Sequence, residues 1–219
     1  MTPAEQISSI RVEEQLPVPP TKSQPSAPLR AISSLAVFGS ALLSNAGSVG
    51  AAVPSSPALA RRIAGFIPRP VDGLVIELGA GTGAVTEGLL KDGIPANRLI
   101  PIELSEPMAR HLRKQFPGVH VLCGDASKLR QLLARHLPHD APPVAHIVSS
   151  LPLRSLPVRV VARIAREIFH LLPPNGRLIQ FTYSLGSARF RPLNDFQRVA
   201  SANVWMNLPP ARVDVYQKP

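Results

Sequence analysis

The chain has 219 residues, with 24 Lys and Arg against 14 Asp and Glu and a formal net charge of +10. That length allows one full domain with an appendage and a real core. The basic excess calls for anionic partners, nucleic acid or an acidic membrane surface, without choosing between them. A single cysteine, Cys123, excludes an intrachain disulfide and a cysteine-based metal cluster, and a reducing cytosol is the simplest setting.

Residues 1–30 carry scattered prolines (Pro3, Pro17, Pro19, Pro20, Pro25, Pro28) and little apolar periodicity, which predicts a disordered tail. No apolar stretch follows the start closely, so no secretory signal is expected. From Ala31 to Ala60 there is no charged side chain. On a helix, Leu35, Phe38, Ala41 and Leu42 share one face, while Ser33, Ser40 and Ser44 gather on another. Three readings stand here: an interfacial membrane helix, a helix capping the core, or a transmembrane span interrupted by serines and glycines.

From Leu74 onward, strand-like runs alternate with helix-like segments. "LVIEL" is followed by a helix over 83–91, "RLIPIE" by 106–116, "VHVLC" by 126–137 and "VAHIVS" by 156–172. "RLIQFTY" then precedes a helix over roughly 189–198, and "VWMN" and "RVDVYQ" flank "LPPA" as an antiparallel pair. This alternation predicts an α/β fold, a mostly parallel seven-stranded sheet with helices on both faces and a C-terminal hairpin. Cys123, in the apolar run "VHVLC", reads as a buried strand thiol. His136 and His139 have no further ligands clustered nearby, so no metal is expected.

"VIELGAGTG", residues 75–83, places Gly79, Gly81 and Gly83 directly after the first strand and before a helix. Glycines there let a ligand approach the backbone, and the helix start offers unpaired amides. Glu77 precedes the turn, Glu103 ends the second strand and Asp125 ends the third. A carboxylate can accept both hydroxyls of a ribose, and another can accept an adenine amino hydrogen. Three acids at successive strand ends beside one glycine turn suit S-adenosylmethionine: Glu77 for the ammonium, Glu103 for the ribose, Asp125 for the adenine.

These features resemble the class I S-adenosylmethionine-dependent methyltransferases, with a Rossmann-like fold, over about residues 50–217. "VGAAVPSSPALAR", "SSLPLRSLP", "QFTYS" and "NLPPARV" sharpen the resemblance to the bacterial phospholipid N-methyltransferases, which methylate phosphatidylethanolamine towards phosphatidylcholine. The resemblance implies a division into the tail, a helical segment over 31–66 with membrane-surface contact, and a methyltransferase domain over 67–219. It implies that Ser55, Ser56, Gly79, Gly81, Thr82, Leu104, Ala126 and Ser149 join the three acids around the cofactor. It also implies that Ser149, Ser150, Leu151 and Tyr183 surround the reacting amine. Leu153 would touch the lipid, and Arg189 and Arg191 would pair with its phosphate. The implied partner is a phospholipid at an anionic surface, with no nucleic acid, metal or obligate protein partner, and the implied location is the inner face of the cytoplasmic membrane. The tail has no counterpart in the resemblance, and the 31–53 stretch carries Phe38 as its only aromatic residue.

Base-methylating enzymes place an Asn-Pro-aromatic corner where this chain has Ser149-Ser150-Leu151-Pro152-Leu153. A planar base nitrogen needs an amide oxygen and a stacking surface, whereas hydroxyls and carbonyls in an apolar corner suit an aliphatic amine. An ornithine-lipid acceptor, a ribosomal-RNA adenine enzyme and a catalytically silent membrane-binding module are the competing readings.

Overall fold

The computed structural model describes residues 55–183 and 193–219. The predicted tail, the stretch 31–54 and residues 184–192, including Arg189 and Arg191, lie outside the described residues. Helix α1 (Pro57–Ala64) is capped by Ser56, whose hydroxyl accepts from the Leu59 N–H at 3.2 Å, and Pro57 occupies the first turn. Leu59, Ala60, Ile63 and Ala64 form its buried face. Gly88 leaves room for Ala60 where α1 crosses the next helix.

Seven strands follow: β1 (Leu74–Leu78), β2 (Leu99–Glu103), β3 (Leu122–Cys123), β4 (Val144–Ser149), β5 (Arg177–Thr182), β6 (Gln197–Val204) and β7 (Ala211–Gln217). Between them run α2 (Ala84–Lys91), α3 (Glu106–Gln115), α4 (Leu129–His136) and α5 (Val158–Leu171). The sheet order is β3-β2-β1-β4-β5-β7-β6, with β1 to β5 parallel and β7 antiparallel to both neighbours. Strands β1, β2 and β4 are buried throughout, as expected for a parallel sheet covered on both faces. One core layer gathers Val75, Leu89, Leu112, Ile179 and Val213 with α1; the other gathers Ile76, Ile102, Ile147, Ile164 and Leu178 under α4 and α5.

The fold class is as expected, and two details differ. The described part of the predicted 189–198 helix is a turn over 193–196, followed by the start of β6. The predicted strand "VWMN" is mostly the turn after β6, with only Val204 in the strand. Strand β6 carries an exposed–intermediate pattern and a register shift between Arg198 and Ala200, so its apolar alternation is faint. "VHVLC" contracts to two paired residues.

Candidate active site

Because parallel strands all end at the same edge, the loops after β1, β2, β4 and β5 converge there. Gly79, Gly81 and Gly83 have φ of +74°, +56° and +84°. Gly79 is needed twice over, since a Cβ there would meet Leu151 Cδ2 at 2.7 Å. Glu103 fixes the turn: its Oε2 accepts from the Gly81 N–H and its Oε1 from the Ser105 N–H, both at 2.9 Å. Asp125 Oδ1 accepts from the Ser127 N–H at 2.8 Å, capping a 3₁₀ turn, and no described residue donates to its second oxygen.

Glu77 is fully buried. Its Oε2 accepts from the Thr86 hydroxyl at 2.6 Å, while Oε1 has no partner. Burial pushes its carboxyl up to about 8, against the smaller opposing pull of Thr86. Besides Glu77 Oε1, the buried side-chain atoms without partners among the described residues are Ser149 Oγ, Ser150 Oγ and Gln180 Oε1. All four lie at the same edge of three adjacent strands, where Leu78 pairs with Ser149 and Ser149 with Gln180. Buried polar groups left open in this way are uncommon, and their clustering leaves a set of acceptors at one place that a ligand or water can satisfy.

A cavity of about 480 Å³ begins at Gly79, Gly81 and Glu103 and runs past Leu151, Leu153, Leu156 and Phe181 to Tyr216. Ser150 and Gln180 lie in its wall, and the Gln180 amide also donates to the Leu151 carbonyl at 3.1 Å, bracing the corner. Tyr183 lines the cavity too, edge-on to Phe181 with ring centres 5.7 Å apart. Asp214 closes the far end, already engaged by Ser201 Oγ at 2.7 Å and Arg212 Nε at 3.0 Å.

Of the residues expected from the sequence, Gly79, Gly81, Glu103, Leu104, Ala126, Ser150, Leu151, Leu153 and Tyr183 line this cavity together. Glu77 and Ser149 are buried without lining it, and Asp125, half-buried after β3, does not line it either. Thr82 is exposed at the glycine turn, and Ser55 and Ser56 stand away from the cavity at the start of α1. Gln180 and the Arg212–Asp214 pair were not foreseen. A glutamine inside "RLIQFT" carries no local signal; its meaning comes from the strands that pair beside it. Cys123 donates to the Leu104 carbonyl at 3.6 Å, and burial pushes its thiol up to about 11, which keeps it protonated near neutral pH. Among the described residues no group of side chains is arranged to hold a metal ion.

A glycine turn tied by the carboxylate that ends the next strand, at the centre of a sheet of this order, is the arrangement of the class I methyltransferase fold. Residues 75–176 match the family described as "Methyltransferase domain". Over 172 residues the chain is 32% identical to the ornithine lipid N-methyltransferase of Singulisphaera acidiphila, spanning 75% of this chain and 85% of that one. It is also 32% identical over 128 residues to a probable ribosomal RNA small subunit methyltransferase A of Halobacterium salinarum, but spans only 40% of that protein. In fold it resembles the Burkholderia thailandensis 1,6-didemethyltoxoflavin-N1-methyltransferase, solved with S-adenosylhomocysteine, at a TM-score of 0.61 and 18% identity over 91% of this chain and 93% of that one. The chain belongs to the class I S-adenosylmethionine-dependent methyltransferases, and S-adenosylmethionine is its cofactor. The residues present fit that group: the glycine turn admits it closely, and Glu77 Oε1 lacks the donor that an ammonium would supply.

Proposed function

We propose that this enzyme methylates the primary aliphatic amine of a membrane-lipid headgroup. Phosphatidylethanolamine, expected from the sequence motifs, and ornithine lipid, named for the Singulisphaera relative, both offer such an amine. The observation that carries the reading is a mostly apolar cavity whose wall holds two unpartnered acceptors, Ser150 Oγ and Gln180 Oε1, a short way from the glycine turn.

Glu77, Glu103 and Asp125 would hold the ammonium, ribose and adenine of S-adenosylmethionine, whose sulfonium supplies an electrophilic methyl. The acceptor must reach the cavity as a free amine, yet an alkylammonium has an ordinary pKa of about 10.4. Leu151, Leu153, Leu156 and Phe181 exclude water and so disfavour the charged form. Ser150 and Gln180 then accept its N–H groups and orient the lone pair. Such alignment supplies roughly 7–11 kcal/mol of a bimolecular barrier. The two acids lining the cavity do not serve as the base: Glu103 is occupied by two backbone amides and Asp214 by Arg212 and Ser201. The amine instead gives its proton to bulk water before it enters, because desolvation disfavours the ammonium, and the methylated ammonium loses its proton to water on release.

The test is transfer of labelled methyl from S-adenosylmethionine to vesicles containing ornithine lipid, to vesicles containing phosphatidylethanolamine, or to ribosomal RNA. Label in either lipid supports the proposal and identifies the headgroup. Label in RNA alone overturns it.

A further inference from the structure

The turn joining β6 to β7 ends the sheet in an exposed apolar tip. Trp205, Met206 and Leu208 are 67, 81 and 71% exposed, and elsewhere among the described residues only Val158 matches them. The tip is firmly held. Asn207, in its middle, is only 2% exposed. Its side-chain amide donates to the Pro209 carbonyl at 2.8 Å, its Oδ1 accepts from the Ser56 N–H at 2.9 Å, and it hydrogen-bonds the Tyr183 hydroxyl. One buried side chain therefore joins three things: the apolar tip, the point where the chain enters α1, and a half-exposed wall residue of the cavity.

The surroundings select the occupant. The stretch of sequence that leads into Ser56, from Ala31 onward, carries no charged side chain. Arg61 and Arg62 lie one to one and a half turns further along α1, exposed and without an ion-pair partner among the described residues. The whole chain carries +10. A tryptophan with two flexible apolar side chains, tied to the start of a helix that carries two exposed arginines, has the chemistry of the boundary between acyl chains and anionic headgroups.

We propose that the Trp205–Leu208 tip is a membrane-docking wedge that seats in the interface of an anionic bilayer and turns the Tyr183 side of the cavity towards the lipid. It deepens the lipid-substrate reading by giving the headgroup a route into the cavity from the membrane plane.

Trp205 is the only tryptophan, so intrinsic emission reports on the tip alone. The full chain is mixed with phosphatidylglycerol–phosphatidylcholine vesicles that hold no amine lipid. Trp205 emission should shift to the blue and be quenched by brominated acyl chains. The double variant Met206→Ser, Leu208→Ser should weaken vesicle binding by about tenfold, leaving methyl transfer to a soluble short-chain amino lipid within about twofold of the parent. Emission already blue-shifted in solution and unmoved by vesicles would mean that residues 31–53 or a second copy cover the tip, and would overturn the proposal. Vesicle binding with Trp205 unquenched would overturn it as well. Docking without methylation of any lipid would leave the wedge standing and remove the substrate reading; lipid methylation with an unquenched Trp205 would do the reverse.

Discussion

On the β2–β3 side of the glycine turn, the strand-end carboxylates are tied to the protein's own backbone, Glu103 through both oxygens and Asp125 through one. Glu103 accepts from Gly81 and Ser105, and Asp125 accepts from Ser127. On the β4–β5 side, at the same edge of the same sheet, Ser149, Ser150 and Gln180 have buried oxygens that nothing in the described protein satisfies. The first arrangement builds a rigid cradle from backbone amides, so little has to be ordered when the cofactor arrives. The second leaves hydrogen-bonding capacity for whatever enters the cavity. Glu77 lies between them, with one oxygen satisfied and one open.

The comparison is broken most severely at Gly79. Gly79→Val would force a side chain into Leu151 from a positive φ, displacing both the cradle and the corner. We expect cofactor affinity to fall by about 100-fold, measured by calorimetry beside a melting curve that shows the variant is folded.

Glu77 should give the next largest effect, through pH. Under the proposed role its carboxyl, raised to about 8, would have to ionise to meet the cofactor's ammonium, so binding below pH 8 would release a proton. Affinity therefore rises with pH, by at most about tenfold per unit. It falls again above about 8, where an α-amino group loses its charge. A maximum near pH 8 that loses its rising limb in Glu77→Gln is the expected result; a flat wild-type curve would place the ammonium elsewhere. Stability of the cofactor-free protein has the opposite slope. Between the usual 4.5 and the raised value near 8, the folded state keeps a proton that the unfolded chain has lost, so stability falls as pH rises. His146, lowered by burial to about 4 from a usual 6.5, works the other way up to pH 6.5. The net loss therefore falls between pH 6.5 and 8 and is on the order of 2 kcal/mol; denaturant melts at the two pH values check it.

Smaller effects sharpen the contrast. Ser150→Ala removes an open acceptor and no hydrogen bond, so kcat/KM for the amine should drop by about tenfold. Cofactor affinity and melting temperature should hold. Gln180→Leu should cost more, because the Leu151 carbonyl also loses its donor. Asp125→Ala should do the reverse, weakening the cofactor by about fivefold and leaving vesicle binding intact. Equal loss of both would make Asp125 a structural cap.

The sequence made the cradle half legible and the acceptor half only in part. β1, β2 and β4 are apolar enough to stand out, and "ELGAGTG" with Glu103 marks the turn that the structure ties together at the strand ends. β6 did not stand out, because Gln197, Arg198 and Val199 are all exposed and a register shift follows them. The apolar "VWM" at its end looked like the missing strand, yet only Val204 is a buried strand residue, and Trp205 and Met206 face solvent. Hydropathy cannot tell a buried strand from an exposed tip of the same composition. Gln180 was hidden for a different reason: its neighbours Ser149 and Asp214 are brought to it by pairing across the sheet, which no local pattern encodes.

The open oxygens of Ser150 and Gln180 carry a consequence for repeated turnover. A primary amine enters as a free base with two N–H donors, one for each acceptor; once the ammonium formed by each transfer has lost a proton, the monomethyl product keeps one and the dimethyl product none. Under the proposed function, each methyl added cuts one tie to the cavity wall, so the site counts its own progress by losing grip. Partly methylated lipid should therefore leave between rounds, and a time course should show mono- and dimethyl species accumulating before any trimethyl product.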